Sequence, residues 1–148
     1  MRKKRISSLE NSEPKVSCFD FYLHDLLIAE KPTARTVAKA NMTNTSPTLF
    51  GEVVVIDDPL TEGPELPFKV IGQTQGLYAF TSQTELSLFD TLTVMGRNLV
   101  PLKVRELSII EGTGAFGLAR GYGLKQTYSI NTTTLNTIEH YNVIVIHY

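Results

Sequence analysis

"EGTGAFGLARG", residues 111–121, places Gly112, Gly114 and Gly117 at the spacing of a G-x-G-x-x-G loop. In a dinucleotide-binding unit such a loop follows a strand and opens a helix whose N-terminus holds a pyrophosphate. Here the chain continues "LARGYGLKQTYSINTTTLNTIEHYNVIVIHY" (118–148), with Gly121 and Gly123 where that helix would have to lie. Each glycine inside a helix costs about 1 kcal/mol relative to alanine. The remaining residues are β-branched and aromatic and read as two strands, so the dinucleotide reading is rejected. The glycines instead read as a strand feature that permits a bulge, sharp coiling or the close approach of another layer.

On either side of this stretch the same short pattern recurs. "VSCFDFYLHDLLI" (16–28), "RTVAKANM" (35–42), "LFGEVVVID" (49–57) and "FKVIGQTQGLYAF" (68–80) are followed by "TLTVMG" (91–96), "LKVRELSII" (102–110), "FGLARGYGLKQTYSI" (116–130) and "IEHYNVIVIHY" (138–148). None carries a sustained 3.6-residue apolar stripe, and turn residues separate them, which predicts an antiparallel sandwich or barrel. "DPLTEGPELP" (58–67) is too rich in proline and glycine for regular structure, and Asp57–Asp58 before Pro59 read as a turn whose carboxylates cap backbone amides. Residues 1–15 read as a flexible tail and 16–148 as one domain, the size that 148 residues allow.

A net charge of -1 gives no electrostatic case for nucleic acid or a membrane surface, and "RKKR" (2–5) lies in the polar tail. Cys18 is the single cysteine, and His24, His140 and His147 lack metal-ligand spacing, so neither a disulfide framework nor a zinc site is expected. No run approaches the ~20 apolar residues of a membrane-spanning helix. The basic N-terminus lacks the apolar stretch of a secretory signal, whereas sequons at Asn41, Asn44 and Asn131 lean toward secretion, Pro47 weakening the second. These opposed signals leave the compartment open.

Period two divides each strand into faces. One face of the first carries Phe19, Phe21, Leu23, Asp25 and Leu27; in the seventh, Phe116, Leu118, Arg120, Tyr122 and Leu124 stand opposite a nearly bare face that includes Gly121 and Gly123. Asp25 and Arg120 are each a lone charge among large apolar side chains, and burying an isolated charge is expensive. Two readings follow. The pair is a structural ion pair or reaches water at strand ends, or both charges point into a barrel cavity lined by aromatics such as Tyr78 and Phe80. In a cavity, desolvation would raise the aspartate pKa and a nearby Arg120 would lower it.

"FYLHDLL", "LFGEVVVIDDPLTEGPE", "GQTQGLYAFTSQ", "TLTVMGRN", "VRELSIIEGTGAFGLARGY" and "EHYNVIVIHY" occur in the order found in plant dirigent proteins, which the chain resembles over residues 19–148. The resemblance implies an eight-stranded antiparallel β-barrel of the dirigent and allene-oxide-cyclase type, a homo-oligomer (trimer or dimer), and a glycosylated protein secreted to the apoplast, with Asn41 and Asn131 as the acceptor sites. It implies no cofactor. It also implies a stereodirecting binding protein more than an enzyme: the partner ligands are phenoxy radicals of monolignols such as coniferyl alcohol, supplied by a separate laccase or peroxidase and coupled to one lignan stereoisomer. The alternative is a dehydratase acting on an isoflavanol through a quinone methide, or a truncated inactive paralogue. By the same resemblance the acid is Asp25 of the His24-Asp25 motif, the arginine is Arg120, and Tyr78, Phe80 and Asp58 contact the ligand.

Two departures from the family pattern stand out. Ala115 occupies the place where pinoresinol-forming members carry an aspartate, and Glu111 replaces the first glycine of their G-G-T-G. Between "TSQTELSLF" and "DTLTVMGRN" a strand of the F-x-F-x-F type is missing, so the barrel is expected to be one strand short, with an open edge or a shifted register.

Overall fold

The computed structural model describes residues 13–65, 67–91, 94–112 and 114–148. Among the described residues nine strands form: β1 (Lys15–Asp25), β2 (Ala34–Lys39), β3 (Glu52–Thr61), β4 (Val70–Phe80), β5 (Ser87–Thr91), β6 (Val94–Leu99), β7 (Arg105–Ile109), β8 (Arg120–Ile130) and β9 (Thr137–His147). All pair antiparallel, in the order β1-β9-β8-β7-β6-β5-β4-β3-β2. The sheet rolls until β3 also meets β1, through Tyr22↔Thr61 and Leu23↔Leu60. Eight strands therefore make up the ring, as expected of a dirigent-type barrel, and β2 prolongs the β1 side of the seam.

The strand expected to be missing is present but short. β5 has five residues and meets β4 through Tyr78↔Asp90, Ala79↔Phe89 and Phe80↔Leu88. It then forms a hairpin with β6 through five residue pairs, Ser87↔Leu99 to Thr91↔Met95. Ring closure needs a strand at that position but not a long one, so the sequence difference shortens one wall and keeps the strand count.

The seam explains a second correction. Asp57, Asp58 and Pro59 are not a turn; they lie within β3 and pair with Gln75, Thr74 and Gln73 of β4. On its other edge β3 changes neighbours. β2 pairs up to Ile56, the Asp57 amide donates to the Thr33 carbonyl at 2.8 Å, and β1 begins at Leu60. Pro59 falls in the gap, where no adjoining strand needs the N–H that proline lacks.

The seam is clasped from outside the cavity by His24, which is 1% exposed. The Thr61 hydroxyl donates to the Gly63 carbonyl at 2.6 Å, so its oxygen accepts at 2.8 Å from His24 Nε2–H. Burial pushes the His24 pKa below its ordinary value, in keeping with the neutral ring this arrangement uses.

One end of the barrel is packed solid by Leu23, Leu107, Ile109, Ala119, Tyr141, Val143 and Val145, with Phe21, Leu60 and Phe116 against them. The glycine-rich stretch at 111–121 builds this plug. The strand expected from residue 116 begins only at Arg120; before it, Gly114–Phe116 make one 3-10 turn. A Cβ on Gly112 would stand 2.3 Å from the Phe116 carbonyl oxygen, so glycine lets the loop double back. Phe116 then packs edge-on to Phe19 at 5.9 Å and against His147 at 4.7 Å.

Thr61→Val keeps the side-chain shape and strands the His24 N–H in a buried seam. Urea unfolding is expected to show a loss of about 1–3 kcal/mol, with His24→Ala adding little on top because the two share one interaction.

Candidate active site

The other half of the barrel is hollow, with about 270 Å³ of cavity. Its wall combines apolar and aromatic groups, among them Leu27, Val54, Ile56, Tyr78, Phe80 and Tyr141, with the charged groups Asp25, Asp58, Lys125, Glu52, Lys39 and Glu139. Strand alternation sets this lining. Leu23 and Asp25 come from the predicted face of β1 and Leu27 from just beyond its end, and Val54, Ile56 and Asp58 come from one face of β3. Tyr78 and Phe80 project from β4 with ring centres 5.9 Å apart at 75°.

Four of the expected site residues, Asp25, Asp58, Tyr78 and Phe80, thus meet in one cavity. Arg120 does not join them. It is exposed at the first residue of β8, because the inward face of that strand is the bare one expected to face outward. A Cβ on Gly121 would lie 2.0 Å from the Ile144 carbonyl oxygen, while Tyr122 is partly exposed on the outer side. Ala115 is exposed in the 3-10 turn and is no part of the cavity wall, and Asn41 and Asn131 are exposed in turns.

Lys125, two residues beyond Gly123 on the inward face, is a cavity cation not among the expected site residues. It is 7% exposed, and its ammonium lies 5.4 Å from the centre of the Tyr141 ring. Two ion pairs stand in or beside the wall. Arg105 donates to Glu139 at 2.7 Å, with Thr127 donating to the second oxygen at 3.3 Å, and Lys39 stands 3.4 Å from Glu52. The Thr36 hydroxyl also donates to Glu52, at 2.6 Å.

Asp58 is different. Its side chain is completely buried and neither carboxyl oxygen completes a hydrogen bond; the adjacent Thr33 hydroxyl donates instead to the His24 carbonyl, at 3.3 Å. Desolvation first, and the negative charge of Asp25 second, push its pKa up to about 7, against weaker opposing pulls from Thr33 and Lys125. Asp58 therefore exchanges a proton near neutral pH, the property required of a general acid.

Comparisons with known proteins agree with this architecture. The family model for "Dirigent-like protein" matches residues 16–146. Dirigent protein 11 of Arabidopsis thaliana is 40% identical over 93% of this chain and 77% of its own length. Pterocarpan synthase 1 of Glycyrrhiza echinata is 38% identical over 92% of this chain and 80% of its own. The solved structure of a pterocarpan synthase dirigent protein superposes with a TM-score of 0.84 at 36% identity, covering 93% of this chain and 88% of that one.

A buried carboxyl with a raised pKa stabilises the fold fully only below its unfolded value of 3.8, and that contribution disappears as pH rises through about 7. A tenfold change in proton affinity corresponds to ~1.4 kcal/mol, so the wild type is expected to lose roughly 4 kcal/mol across this window. Asp58→Asn removes the titration, so its melting temperature should gain on that of the wild type steadily from pH 4 to pH 8.

Proposed function

The chain belongs to the dirigent-like family, and we propose that its cavity binds a phenolic compound and that Asp58 delivers a proton to it. One observation carries this reading: a buried carboxyl, its pKa pushed up to about 7 by desolvation and the Asp25 charge, stands in the wall of an aromatic-lined cavity. Asp58 in its acid form protonates a benzylic hydroxyl, the C–O bond breaks, and water leaves. The phenol loses its own proton to the Asp25 carboxylate, so the ring becomes a neutral quinone methide and no electrons are exchanged with any cofactor. The names of the pterocarpan synthases among the relatives support this reaction, dehydration of an isoflavanol, over the others considered.

The second reading is stereochemical guidance of phenoxy-radical coupling, with a separate laccase or peroxidase making the radicals. It is supported by the chiral arrangement of Tyr78, Phe80 and Tyr141 around the cavity and by the names of several relatives. Both readings carry assembly into a homo-oligomer and an apoplastic location, the second supported by exposed sequons at Asn41 and Asn131.

Incubation with an isoflavanol and no oxidant is expected to yield the dehydrated product, with Asp58→Asn slower by about 10²–10⁴-fold. No product above background excludes the dehydratase. An enantiomeric excess appearing only when an oxidase and a monolignol are supplied would establish the second reading instead.

A further inference from the structure

We propose that Lys125 is a specificity-determining residue that seats the phenol oxygen of the ligand at the inner end of the cavity and favours its ionised form. This deepens the phenolic reading above and rests on it.

Lys125 reaches the cavity from β8, and its ammonium stands 5.4 Å from the centre of the Tyr141 ring. Its strand neighbours are Arg105 on β7 and Tyr141 on β9. Arg105 is committed to Glu139 at 2.7 Å, and Lys39 lies across the cavity beside Glu52. The remaining ionisable groups around the same space are Asp25 from β1, Asp58 from β3 and Tyr78 from β4. An ammonium presents three donors and no acceptor, so it can serve a carboxylate and a ligand oxygen together. Buried to 7% exposure, it stabilises a nearby negative charge more than it would in water.

The ring of a bound phenol has apolar walls to rest on in Val54, Ile56, Tyr78 and Phe80. Its oxygen then lies near Lys125 and the two aspartates. Asp25 can take up the phenol proton, so ionisation of the ligand proceeds without changing the total charge of the cavity and leaves the Asp58 acid in place. Lys125 decides where that proton rests: with the cation present the charge sits on the phenol oxygen, and without it the phenol stays neutral. Ligands lacking a free phenol, such as aryl methyl ethers, lose this contact.

The probe is 4-nitrophenol, whose ionised form absorbs visible light, with 4-nitroanisole as the uncharged control. Spectral titration of the bound phenol is expected to give an apparent pKa about one unit or more lower in the wild type than in Lys125→Met. Lys125→Arg should restore most of the lowering, and calorimetry should show the anisole binding more weakly than the phenol to the wild type only. Equal titration curves in wild type and Lys125→Met, with both probes bound, overturn the role of Lys125 and leave the phenolic cavity standing. Absence of binding by either probe overturns the cavity reading and this one with it. Lys125→Arg also guards against a folding defect in the methionine variant, since it keeps the charge and the stem.

Discussion

One edge of β3 has to serve two neighbours. β2 occupies its first half and β1 its last two residues, and the handover between them falls at Asp58 and Pro59. A ladder cannot pass through such a handover without leaving backbone groups unmatched, so the residue there must demand little, and proline does. The same gap brings Asp58 from mid-strand beside Asp25, the last residue of β1. The close approach of two carboxyls is therefore a by-product of how the barrel closes. His24, adjacent to Asp25 but pointing to the opposite face, holds the closure in place through Thr61.

The two sides of that seam respond to protons in opposite senses. His24 is neutral in the fold, with a lowered pKa, so its contribution is present above its ordinary value of 6.5 and is lost as pH falls. Asp58 resists ionisation, so its contribution fades as pH rises. Closure and cavity are consequently tuned against one another within a few residues. At the cavity rim, paired charges such as Lys39–Glu52 add polarity without adding net charge.

Much of this is legible in the sequence where period two is decisive. The inward run of Leu23, Asp25 and Leu27 follows from alternation alone, and the all-β architecture follows from the failure of the glycine loop to open a helix. β8 misleads for a reason of volume. Its bulky face looks like the natural lining, but Tyr141, Val143 and Val145 of the neighbouring strand already fill the interior, and only the bare face can be set against them. Arg120 is carried outside by that constraint and Lys125 inside. Asp58 is obscured by its proline, which signals a turn locally and is tolerated in a strand only because of a seam that no local pattern encodes. Likewise, the shortness of β5 is legible but its survival is not, since ring closure is a demand of the whole sheet.

The plug built by Gly112 and Phe116 has a kinetic corollary. Among the described residues the barrel is stoppered at one end, so a guest that enters by the other end must leave the same way, and arrival and departure cannot overlap. Each reacted molecule must vacate before its successor is admitted, and the doorway rather than the chemistry can become the slower passage.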